Sequence, residues 1–163
     1  MGAQNHRRVD IFTDTHPLFP KSKARIGPRF NHFHGILVDI FYDHVLARHW
    51  KHYHAVPLNE YVQYVHDCFL THEQLMPETM RAILPRMIQQ NWLAAYATVE
   101  GIKLTLERMS QRITQRFDHT INLAPASEVL KQHRDGFTDD FHAFFAQTIE
   151  CVHWAQKTAP LKV

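Results

Sequence analysis

Cysteine is scarce in this 163-residue chain: there are two, Cys68 and Cys151, and they form no CxxC pair. That argues against a disulfide framework and a structural zinc site, and it fits a reducing cytoplasm. Long apolar runs are missing as well. No stretch approaches the ~18 residues that a membrane-spanning helix needs. The opening MGAQNHRR lacks the apolar core of a signal peptide. Gly2 follows Met1, but Asn5-His6 does not supply the serine or threonine of a myristoylation signal. Charge of one sign is also missing. Eighteen Lys and Arg against 16 Asp and Glu leave a formal net charge of +2, which points neither to nucleic acid nor to a membrane surface. Strand pairs, internal repeats and low-complexity tracts are equally absent.

Histidine, by contrast, is abundant at 14 residues. It is the commonest metal ligand and titrates near neutrality, so the excess points to a metal site or to acid–base chemistry. Surface scatter is the plainer use of such residues, and His52, His54, His66 and His72 are assigned to it. With 45% hydrophobic and 21% charged residues, the chain is expected to form one domain, residues 1–163, around a single core.

The organising stretch is GILVDIFYDHVLARHW, Gly35 to Trp50. Taken at 100° per residue it is one helix, apolar almost all round. Asp39 and Asp43 share one stripe, and His44 follows directly. Carboxylates so surrounded are expected away from open water, where they would need a cation, a hydrogen-bond network or a metal.

Upstream, HRRVDIFTDTHP gathers His6, Arg7, Arg8, Asp10, Asp14 and His16, with His6 and Asp10 one helical turn apart. A solvated polar segment is the alternative. Lys21, Lys23, Arg25 and Arg29 follow as a basic connector. It suits a phosphate or an acidic partner, or is simply solvated. Downstream, a helix begins near Leu58 with Asn59 as N-cap, and another opens at Pro77 and breaks or kinks near Pro85. Helical spacing resumes over Met87–Tyr96. Gly101 interrupts, and a further helix carries Arg108, Arg112 and Arg116 opposite its apolar side. Ser127 starts a helix that breaks at Asp135-Gly136. The last helix, Phe137 to Gln156, has Phe141, Phe144 and Phe145 as core residues. The fold class is therefore all-α, about seven helices.

Imidazoles and carboxylates together suit Mn²⁺, Fe²⁺, Mg²⁺ or Zn²⁺. Such an ion lowers the pKa of bound water and clamps a phosphoryl oxygen, which is phosphoester hydrolysis in outline. The competing structural use of Asp39 and Asp43 is a salt-bridge network with Arg7, Arg8 or Arg48.

HRRVDIFTDTHP followed by RFxxxxGILVDIFYDHVLARHW resembles the acyl carrier protein phosphodiesterases. The likeness continues through ILPRMIQQNWLAAY and EGIKLTLERMSQRI and covers nearly the whole chain. It implies an all-helical fold similar to HD-type metal-dependent phosphohydrolases, a preference for Mn²⁺ (Mg²⁺ or Fe²⁺ as alternatives), and cleavage of 4′-phosphopantetheine from holo-acyl carrier protein. It makes His6, Asp10, Asp43 and His44 the metal-site candidates, and Arg7, Arg8 and Asp39 the catalytic ones. An acidic carrier partner would meet Lys21, Lys23, Arg25 and Arg29, with Arg108, Arg112 and Arg116 as a second patch. Family members ordinarily carry a further apolar, histidine-containing helix and an aspartate ahead of the HRRVD motif. Without that helix, exposed apolar surface would favour a homo-oligomer. Two rival functions are an HD-like phosphohydrolase acting on a nucleotide and a non-catalytic helical module binding an acidic protein.

Overall fold

In the computed structural model, residues 11–13, 15–117 and 120–158 are described, and the all-α expectation holds: these residues contain α-helices and short 3₁₀ turns and no strand. The helices are α1 (Leu18–Ile26), α2 (His34–Arg48), α3 (Leu58–Thr71), α4 (Glu78–Gln89), α5 (Trp92–Ala95), α6 (Val99–Phe117), α7 (Ala126–Gln132) and α8 (Arg134–Thr158). Among the described residues no helix is long and apolar enough to cross a membrane. Contacts divide the chain into two compact units, residues 1–42 with 128–163 and residues 43–127, with the boundaries inside α2 and α7.

In the first unit α1 packs on α8. Of the final helix's expected core residues, Phe145 is only half-buried and Ile149 is exposed, whereas Phe141 and Phe144 are buried together with Phe137, Phe19, Phe41 and Tyr42. Their rings meet edge to face, Phe41 on Phe137 at 5.0 Å and Phe19 on Phe144 at 5.4 Å. Each buried Phe contributes about 1.5–3 kcal/mol by leaving water, and the edge-to-face geometry adds a smaller quadrupolar gain. The α7–α8 break falls at His133 rather than at Asp135-Gly136, which lie in the first turn of α8. Asp135 suits that end because the helix N-terminus favours negative charge.

In the second unit α6 buries Val99, Ile102, Leu106 and Ser110, a stripe at helical spacing. The Ser110 hydroxyl donates to the Leu106 carbonyl at 2.7 Å and accepts from the Leu123 amide at 2.8 Å, tying the following loop to the helix. Four local expectations change here. Asn59 is not the N-cap; α3 begins at Leu58, with Pro57 at the cap position. Helix α4 runs through Pro85, whose ring is exposed, and the break comes at Asn91. Asn91 has φ 45° and ψ 53°, a left-handed conformation that asparagine tolerates better than most residues. Gly101 does not interrupt α6. It sits in the first turn, where a Cβ would overlap the Ala95 carbonyl. Lastly, His66 is 4% exposed and not on the surface, because it shares the inner face of α3 with Val62.

Candidate functional site

Helix α2 leaves one stripe open: Ile36, Asp39 and Asp43 are exposed while Leu37, Val38, Ile40, Phe41 and Val45 are buried. The expected burial of the two carboxylates is therefore corrected. An all-round apolar helix still needs one uncovered stripe, and the spacing of three and four residues places both aspartates on it.

His44 lies one step round and is buried, at 1% exposure. Its Nδ1 is 2.7 Å from the Tyr96 carbonyl oxygen. A carbonyl only accepts, so Nδ1 carries the proton, and in the neutral ring Nε2 keeps the lone pair. Metal-binding imidazoles are commonly oriented by such a bond. Among the described residues, however, no three His, Cys, Asp or Glu side chains converge to hold an ion. His6, Arg7, Arg8 and Asp10 lie outside the described residues, so the expected ligand set is represented here by Asp43 and His44 alone.

Tyr96 links this pair to two clefts. Burial pushes its phenol above the ordinary tyrosine range, the Asp43 carboxylate pushes it further, and Arg112 pulls the other way. One cleft, of about 250 Å³, has apolar walls including Trp50, Tyr61, Val62 and Leu93, with Asp43 and Tyr96 also lining it. The other, of about 460 Å³, is lined by Arg86, Arg108 and Arg112 together with Trp92, Tyr96 and glutamines. Trp92 is fixed by its indole N–H, which donates to Gln90 Oε1 at 2.9 Å. The Arg112 guanidinium stands over that ring, 5.8 Å from its centroid. Left-handed Asn91 is the residue between Gln90 and Trp92, so the bend after α4 brings both into the wall.

Sequence spacing put Arg108, Arg112 and Arg116 on one side of α6. The structure gathers the first two into this cleft with Arg86, and Arg116 does not line it. Helical spacing gives Trp92 and Tyr96 only as apolar positions of one helix side, and it marks neither them nor Arg86 as site residues. Arg86 comes from a different helix, and Tyr96 meets His44 through its backbone, which no side-chain pattern signals.

The basic connector is arranged differently. Asp140 of α8 is 1% exposed. It receives Lys21 Nζ at 2.8 Å, the Arg25 guanidinium, and the Ser22 hydroxyl at 3.0 Å. The Ser22 proton is thus committed, so the Tyr42 hydroxyl donates to Ser22 Oγ, at 3.0 Å. Lys23 and Arg29 instead stand over the rings of Phe19 and Phe30, at 5.9 and 5.4 Å from the centroids.

Fold and site define an all-helical protein with a carboxylate–imidazole–phenol group beside a guanidinium-lined cleft. The acyl carrier protein phosphodiesterase family model matches residues 1–148, and the chain belongs to that family. It is 29% identical over 147 residues to an acyl carrier protein phosphodiesterase of Yersinia pestis, covering 88% of this chain and 73% of that protein. A Photorhabdus laumondii protein of the same name is 27% identical over 150 residues, covering 91% and 74%. No solved structure matches.

Proposed function

We propose that the chain hydrolyses the phosphodiester linking 4′-phosphopantetheine to a serine of holo-acyl carrier protein, giving apo-protein and free 4′-phosphopantetheine. The observation that carries this reading is the family match, whose range takes in α2 and the residues of the arginine cleft. In the reaction, the oxygen of a water bonds to phosphorus, the bond to the serine oxygen breaks, and a proton ends on the departing serine oxygen. Asp43 and His44, with His6 and Asp10, are the residues to hold a divalent ion, Mn²⁺ with Mg²⁺ or Fe²⁺ as alternatives. When bound, such an ion supplies a water of lowered pKa. Asp39, exposed on the same stripe as Asp43, would take and return the water's proton. Arg7 and Arg8 would stabilise charge growing on the phosphoryl oxygens.

The acidic carrier would meet basic surface. Lys23 and Arg29 are the connector residues best suited to that role, because Lys21 and Arg25 are already engaged with Asp140. A reducing, cytoplasmic setting suits the two cysteines, both present as free thiols.

The test is a gel-shift assay on holo-acyl carrier protein with Mn²⁺ added. Conversion to the apo form by the parent, abolished in Asp43→Ala, is the expected result. A parent that binds Mn²⁺ yet leaves the holo form intact would overturn the reading in favour of another phosphoester.

A further inference from the structure

We propose that the cleft of Arg86, Arg108 and Arg112 is a phosphate seat for the 4′-phosphopantetheine group, an inference that takes its ligand from the hydrolase reading. Three arginines line one concavity, and among the described residues no acidic side chain shares its wall. Among the described residues, none of the three forms an ion pair with a carboxylate. Like charges held together in a partly enclosed space repel one another, and an incoming anion relieves that repulsion. Guanidinium is the group best matched to phosphate, since its planar fork donates two parallel hydrogen bonds.

The remaining walls say more about the ligand. A cleft of about 460 Å³ suits a small organic molecule rather than the flat face of a protein. Gln90, Gln111 and Gln115 offer amide donors and acceptors, the chemistry that an arm built from amide links requires. Trp92, fixed by Gln90, and Met109 give that arm apolar surface. Tyr96 lines both clefts, and Asp43 lines the smaller one beside it. Tyr96 therefore joins the seat to the candidate chemical residues. Bare cationic surface would attract any anion equally; this cleft is built to prefer a phosphate that carries an amide-bearing body.

The experiment is isothermal titration of the full chain with three probes: inorganic phosphate, pantetheine and 4′-phosphopantetheine. The parent should bind 4′-phosphopantetheine at least about tenfold more tightly than either fragment, a modest return for charge-assisted hydrogen bonds. Arg108→Gln/Arg112→Gln should erase the advantage over pantetheine, and Arg112→Lys should keep part of it. These side chains reach the cleft surface, so the melting temperature of each variant should match the parent and exclude misfolding as the cause. Equal binding of pantetheine and 4′-phosphopantetheine by the parent would overturn the seat, as would a double variant that keeps the preference. The carrier assay stands apart. Conversion of holo-carrier without any phosphate preference would remove the seat and leave the hydrolase, whereas a preference without conversion would keep the phosphate seat and remove the hydrolase.

Discussion

Two clusters of basic side chains among the described residues are resolved in opposite ways. In the first unit, Lys21 and Arg25 close on the buried carboxylate of Asp140, with Ser22 and Tyr42 completing the network. In the second unit, Arg86, Arg108 and Arg112 share a cleft and find no carboxylate among the described residues. Charge that is neutralised inside the fold is structural; charge left uncompensated in a concavity is available to a ligand. Net charge and cation spacing do not distinguish the two. The difference lies in whether an acid from a distant part of the chain arrives to meet the cations.

The largest effect should come from removing that acid. Asp140→Ala strips the acceptor from a guanidinium, an ammonium and a hydroxyl at once, and should cost about 3 kcal/mol of stability. Lys21 contributes the smaller share, because its side chain is 57% exposed and well screened. Urea unfolding measures the loss. Unchanged stability would mean that Asp140 does not hold the connector, and would return Lys21 and Arg25 to the surface that meets a partner.

Part of this contrast is legible in the amino-acid sequence and part is not. Periodicity made the all-α class legible, because amphipathic stripes such as Val99–Ile102–Leu106 repeat at helical spacing. The four connector cations were legible as a cluster but not as a salt-bridge network, since Asp140 lies more than a hundred residues downstream. Asp39 and Asp43 were visible as a pair but placed on the wrong side of the water boundary. A helix with apolar residues all round does not reveal which narrow stripe stays open. Arg108 and Arg112 were seen on one helix, while the cleft they share with Arg86 depends on a turn at Asn91 that was assigned to Pro85. Asparagine's tolerance of the left-handed region was the available signal there.

A smaller effect should follow from crowding the second unit, where backbone closeness rather than ion pairing shapes the site. Gly101→Ala would drive a methyl group into the Ala95 carbonyl, so α5 and the first turn of α6 must separate. The expected cost is about 2 kcal/mol, in the range of overpacking in a tight interior. Tyr96 follows Ala95 directly, so 4′-phosphopantetheine binding should weaken along with the thermal midpoint. Weaker stability with undiminished binding would show that the cleft does not depend on this turn.

The finest test reads the electrostatics of Tyr96 itself. Its ionisation lies above the ordinary value near 10, with burial as the leading cause, Asp43 reinforcing it and Arg112 opposing it. A phenol whose folded pKa is raised stabilises the fold fully below the unfolded value, and that contribution is lost as pH climbs through the folded one. Ultraviolet titration of tyrosinate, with Tyr96→Phe subtracted, isolates this group and leaves the backbone carbonyl that accepts from His44. Asp43→Asn should move the ionisation down toward the ordinary range, and Arg112→Gln should move it further up. If the two substitutions shift Tyr96 in opposite directions, one side chain senses both the carboxylate of α2 and the guanidinium of the cleft. If Asp43→Asn leaves it unmoved, the arginine cleft stands electrostatically apart from the candidate chemical residues, and a phosphate seated there would not be presented to them.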